Sequence, residues 1–382
     1  MNLAKKLLAA MMNQVSSGLW NETSVVMQHI LDAANAYHTF EGSATRSNMG
    51  ASLSETFKWS GAVLAPNGKI YCVPNNSADI LIIDPVANTA TRSNMGATLS
   101  GSAKWSGGVL APNGKIYCIP ANATDILIID PVANTATRSN MGASLTGTSK
   151  FTRAVLAPNG KIYCVPNSSA DILIIDPVAN TATRSNMGAS LTTDSSKWSG
   201  AVLAPNGKIY CVPYSATDIL IIDPAANTAT RSNMGADLTG TFKWVGAALA
   251  PNGKIYCVPY NSTDILIIDP VANTATRSNM GATLSDTGKF NGGVLAPNGK
   301  IYCVPYNSTD ILIIDPVANT TTRSALGATL SDSSKFTGGV LASNGKIYGV
   351  PSSSADILVI DKNASVPALD IKDCLSPHLN KF

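Results

Sequence analysis

Lys58–Leu99 reads KWSGAVLAPNGKIYCVPNNSADILIIDPVANTATRSNMGATL, and its internal punctuation decides the fold. The run from Trp59 to Ala65 is small and apolar, and Pro66-Asn67-Gly68 closes it with a tight hairpin turn in which Gly is free to take positive φ. KIYCV alternates, and Pro74 stops it. DILIID is rich in β-branched residues, with Leu81 and Ile83 on one face and Ile80 and Ile82 on the other. A strand apolar on both faces must be covered on both. Asp84-Pro85 opens a second turn through Asn88, and TATRSNM after it is polar on both sides, as suits an outer edge. The stretch therefore encodes a four-stranded antiparallel sheet whose apolar content falls outward.

The same unit recurs along the chain. Its KIY tyrosines are Tyr71, Tyr117, Tyr163, Tyr210, Tyr256, Tyr302 and Tyr348, spaced by 46 or 47 residues, which gives seven copies. Four-stranded units of roughly 40 to 50 residues in such an array are the mark of a β-propeller. A solenoid would have shorter turns and polar end caps. The seventh copy stops at Asp361 without a fourth strand, while an unattached fourth strand, Ser43–Gly50, precedes the first complete unit. The expected architecture is an all-β, seven-bladed propeller closed by that N-terminal strand across residues 41–361. An N-terminal helical extension (1–40) and a tail (362–382) flank it.

The unit resembles the YVTN family of propeller repeats, related to lactonase-like and surface-layer propellers. The matching segments are Ala65-Pro66-Asn67-Gly68-Lys69-Ile70-Tyr71 and Ile80-Leu81-Ile82-Ile83-Asp84-Pro85-Val86-Ala87-Asn88-Thr89. The resemblance covers residues 43–361 and implies a blade type. It implies little about activity, because one fold hosts many functions.

Composition narrows the rest. The 382 residues are 45% hydrophobic and only 13% charged, against about 25% charged in an average soluble domain. No apolar stretch approaches the roughly 18 residues of a membrane span, and no basic run suggests nucleic acid. Leaving varied positions aside, each copy carries three cations and two carboxylates, so the net charge of +3 has internal order. Two connections vary between copies: the segment before each first strand and the turn between second and third strands. In an antiparallel blade both emerge on one side of the disc, which is the expected recognition surface.

A Lys-aromatic pair precedes every first strand: Lys58-Trp59, Lys104-Trp105, Lys150-Phe151, Lys197-Trp198, Lys243-Trp244, Lys289-Phe290 and Lys335-Phe336. With the first strand innermost, these pairs form a candidate ligand-binding ring at the channel mouth, where converging charge attracts an acidic ligand or glycan. The bland reading is that the aromatics wedge between blades and the lysines stay solvated.

Six cysteines (Cys72, Cys118, Cys164, Cys211, Cys257 and Cys303) share one repeat position in different blades. Face-packed sheets lie about 10 Å apart, beyond disulfide reach, so they are expected as buried free thiols. Cys374 stands apart in the tail. The N-x-S/T triplets, most of them in copied turns, follow from duplication. No histidine lies within the repeats to activate a nucleophile. No metal, cofactor or catalytic residue is expected, and the expectation is that the chain is not an enzyme.

Residues 1–40 share nothing with the repeat. Leu3, Leu7, Met11 and Val15, then Val26, Ile30, Ala33 and Tyr37, recur at helical spacing. The apolar run after Lys5-Lys6 is short for a signal peptide, so two amphipathic helices are expected, docking either on the propeller itself or on a protein partner or larger assembly. The combined expectation is a binding or scaffold propeller presenting a variable loop face. Its helices would tether it to a cell surface or virion-like assembly, ahead of a cytoplasmic setting. A lectin-like propeller is the alternative, and a lactonase-like enzyme the third reading.

Overall fold

The structure is a computed structural model that describes residues 42–361 apart from residue 193. The helices expected in 1–40, the tail from 362 and Cys374 lie outside the described residues. Twenty-eight strands, β1 to β28 in chain order, form seven four-stranded sheets. The first blade is β2 (Trp59–Leu64), β3 (Ile70–Pro74), β4 (Ile80–Asp84) and β5 (Thr89–Ser93), paired in that order. Five more blades repeat it. The seventh runs β26 (Phe336–Leu341), β27 (Ile347–Pro351) and β28 (Ile357–Asp361), with β1 (Ser43–Ser47) as its fourth strand. The propeller and its N-terminal closing strand are as the repeat count requires.

Closure is also made at the hub. Innermost strands of neighbouring blades contact one another all round, and β2 touches β26 to complete the circle. Lys58 N–H donates to Ser352 O at 3.0 Å across this junction. The core is divided into seven apolar layers, each between adjacent blades. In one of them Tyr71, Val73 and Ile80 of the first blade meet Trp105, Ile116 and Cys118 of the second. Each second strand is buried along its whole length, because both of its faces meet a neighbouring blade. The six repeat cysteines are free and buried in these layers, and burial pushes each thiol well above its usual range.

The side of the disc with the Asn-Gly turns is stitched uniformly. Asn67 Nδ2 donates to Tyr71 Oη at 3.0 Å and to Pro131 O of the next blade at 3.4 Å. Asp84 Oδ1 accepts from the backbone N–H of Val86 and Ala87, and Lys69 pairs with Asp84 at 3.4 Å. Led by the Ala87 N–H, these contacts hold the Asp84 carboxyl below its ordinary value.

Candidate functional site: the channel mouth on the varied side

The structure places the Lys-aromatic pairs beneath the varied loops rather than open at the mouth. Trp59, Trp105, Phe151, Trp198, Trp244, Phe290 and Phe336 are 0% exposed, and Lys58, Lys104, Lys150, Lys197, Lys243, Lys289 and Lys335 lie between 0% and 4%. This differs from both expectations for the lysines, the ligand ring and the solvated face. The aromatics do wedge into the blade interfaces, as the bland reading had it.

Backbone carbonyls explain the lysines. Lys104 Nζ donates to Asn75 O at 2.7 Å and Ser77 O at 3.0 Å in the preceding blade, and to Gly101 O at 2.8 Å in its own loop. Lys150 repeats the pattern with Ala121, Ala123 and Gly147, and Lys243 with Tyr214, Ala216 and Gly240. Burial lowers all seven to about 8, because the lost hydration outweighs the pull of nearby carboxylates such as Glu55 on Lys58 and Asp286 on Lys289. The indole of each of the four tryptophans in these pairs donates to a backbone oxygen, as Trp105 Nε1 does to Asp125 O at 2.9 Å. It lies between two cations, with Lys104 Nζ 5.9 Å and Arg138 Cζ 5.4 Å from the ring centre of Trp105. The pairs therefore hold the varied turns in place and present no surface of their own.

What does line the mouth is the first residue of the turn between second and third strands. These residues are Asn75, Ala121, Asn167, Tyr214, Tyr260, Tyr306 and Ser352 in blade order. All but Ala121 border a cavity of about 290 Å³ at the head of the channel. Three consecutive blades supply tyrosine, and the rings form an arc: Tyr214 and Tyr260 are 5.9 Å apart, Tyr260 and Tyr306 5.7 Å. Phe242 extends it, 4.9 Å from Tyr214. Burial, then the neighbouring phenols, pushes Tyr260 up to about 12 and raises Tyr214 as well. Both are therefore neutral hydroxyl donors at physiological pH. The opposite side is polar, and Asn75 and Asn167 each donate through Nδ2 to a backbone oxygen of a following blade, at 3.2 and 3.1 Å.

The buried lysines fix this rim. Tyr214 O accepts both the backbone N–H of Lys243 at 2.8 Å and its ammonium at 3.2 Å. Sequence reading found the varied turn but not which of its residues points at the axis. The signal was present as the change from Asn, Ala or Ser to Tyr in three successive copies. A larger hollow of about 770 Å³ lies at the closing seam, but its Arg46 is committed to Asp332 and Asp356. Among the described residues, no three His, Cys, Asp or Glu side chains converge as metal ligands. No helix among them is long and apolar enough to cross a membrane.

No family model matches the chain, and no curated protein sequence does. Solved structures do match in fold. Virginiamycin B lyase from Staphylococcus aureus superimposes with a TM-score of 0.64 at 12% identity, covering 81% of this chain and 97% of that one. Kuenenia stuttgartiensis hydrazine synthase gives 0.58 at 13%, covering 81% and 97%. A fungal alcohol oxidase of the AA5 family, in complex with copper, gives 0.59 at 14%, covering 81% and 75%. At such identities the likeness is one of fold. It nevertheless corrects the expectation that the chain is not an enzyme, because the solved structures it resembles include a lyase, a synthase and an oxidase. What the comparisons establish is a seven-bladed propeller of the kind seen in virginiamycin B lyase.

Proposed function

We propose that the chain is a binding propeller of the YVTN type that takes its ligand at the channel mouth on the varied side. The observation that carries this reading is the break in sevenfold symmetry there: three tyrosines on one side face asparagine and serine on the other. A rigid wheel with one asymmetric rim is suited to recognising one shape in one orientation. Residues 41–361 form the binding body in this reading, and residues 1–40 tether it to a protein assembly at a cell or virion surface.

The arc favours carbohydrate as the ligand class. Phenol rings offer flat apolar faces to the C–H side of a sugar, and neutral tyrosine hydroxyls, amides and serine answer its hydroxyls. Glycan-array binding by the intact chain, lost in Tyr260→Ala and kept in Val86→Ala, an exposed position on the opposite side of the disc, supports this reading. Binding unaffected by Tyr260→Ala removes it. The tether is tested by a pull-down in which deletion of residues 1–40 releases the partner while the β-sheet circular dichroism is retained.

A further inference from the structure

Below the mouth, the hub carries one residue out of pattern. The innermost strands bulge at a glycine with positive φ in six blades: Gly61, Gly107, Gly200, Gly246, Gly292 and Gly338. These glycines let neighbouring strands approach, since a Cβ on Gly61 would meet Gly107 Cα at 3.0 Å. The third blade has Arg153 at this position, in β10 (Phe151–Leu156), held at φ +56°. A bulky residue in that region is strained by about 1 kcal/mol or more.

Its side chain runs across the channel. The guanidinium passes Gly246 and reaches Gly292 and Gly338 on the far side, with Nη1 3.3 Å and Nη2 3.5 Å from where a Cβ on Gly292 would lie. Nη2 donates to Asn291 Oδ1. Asn291 is itself singular, because the other copies carry Ser, Thr or Val at that position. No carboxylate pairs with Arg153 among the described residues; desolvation alone acts on it and lowers it to about 10, so it stays charged at neutral pH. A cavity of about 160 Å³ adjoins it, walled by Ala62, Gly108, Ala154, Ala201, Gly293 and Gly339. No acidic side chain lines this cavity or the mouth above it.

We infer that Arg153, steadied by Asn291, is an oxyanion-binding group at the waist of the channel. It would take the carboxylate or phosphate of a small ligand, or of the acidic end of a ligand seated at the mouth. An arginine presents a planar fork of N–H donors matched to such groups, and one protein acceptor leaves most of that fork free. Low-dielectric walls of glycine and alanine, with no opposing charge, concentrate its field in the channel. Backbone strain and an unpaired, half-buried cation at one blade of seven are costs that a mere plug does not require, since the glycine of the other six copies closes the hub without them.

The mouth reading supplies the setting, but the test separates the two. Intact chain is titrated calorimetrically with inorganic phosphate and, separately, acetate at fixed ionic strength in chloride. The expected result is one saturable site per chain with a Kd on the order of 1 mM or tighter for at least one of the two. Arg153→Gly, which restores the repeat residue and so keeps the fold, is expected to weaken it at least tenfold. Tyr260→Ala is expected to leave it unchanged while removing ligand from the mouth. No saturable binding to the intact chain, or equal binding to Arg153→Gly, overturns the inference. Loss of mouth binding alone counts against the proposed function and not against this site. The relative strength of phosphate and acetate identifies the group recognised.

Discussion

The hydroxyl of Thr337, on the innermost strand of the seventh blade, donates to the backbone oxygen of Trp59 on that of the first at 2.8 Å. The contact is buried and joins residues 278 positions apart. At other junctions the same position makes a weaker link, as between Ser60 and Ser106 at 3.3 Å. Thr337→Val keeps the shape and removes the donor, leaving the Trp59 oxygen short of one partner. Its expected cost is about 1 kcal/mol, read as a lower denaturant midpoint with an unchanged slope. An unaltered midpoint would show that apolar packing alone seals the ring.

Trp105 is treated by its surroundings as core. Trp105→Ala removes a fully buried indole and its bond to Asp125 O, and the expected loss is about 3–5 kcal/mol. The lesion is one of stability. At a temperature where the variant remains folded, ligand binding at the mouth should match the parent protein, which comparative calorimetry would check.

Proton balance gives stability an unusual pH profile. Burial lowers the seven loop lysines from 10.5 to about 8. Between those values the unfolded chain holds more protons, so stability rises with pH. Burial raises the six thiols above 9.0. Above that value the unfolded chain ionises first, and stability falls with pH. Under reducing conditions the denaturant midpoint is expected to climb from pH 8 to 9, to level off up to about 10.5 as the two trends oppose one another, and then to drop. A fall between pH 8 and 9 would contradict the lysine environment described above.

Arg153→Gly should stabilise the fold. It relieves a positive-φ side chain and removes a desolvated cation, at the expense of one bond to Asn291. The expected gain is about 1 kcal/mol, visible as a raised melting temperature. A loss of stability would mean that Arg153 is a structural brace.

The wheel could be read from the chain because its determinants are local. The Pro-Asn-Gly turn, the Asp-Pro turn and the both-sided apolar DILIID strand each dictate a strand or its end, and the stray Ser43–Ser47 segment dictates closure. The rim was less legible. Lys104 beside Trp105 reads as a surface cation next to a sticky ring, and only the arrival of Asn75 and Ser77 carbonyls from the preceding blade turns it inward. Those acceptors are main-chain atoms, which a sequence does not advertise. Tyr214, Tyr260 and Tyr306 differ visibly from their counterparts, yet their convergence depends on how the blades are splayed. Arg153 likewise stands out against six glycines, but its meaning needs the hub, where those glycines nearly touch.

The borrowed strand has a bearing on assembly fidelity. Because successive interfaces are nearly interchangeable, a folding chain has little chemical means of telling its sixth sheet from its seventh. Only one sheet is short of an edge, and only one ribbon is spare. A circle shut one unit early would leave both of them unsatisfied, with exposed hydrogen-bonding edges prone to capture another chain. The overlap at Ser43–Ser47 therefore works as a tally: it rewards the ring that has incorporated every copy and penalises any that has not.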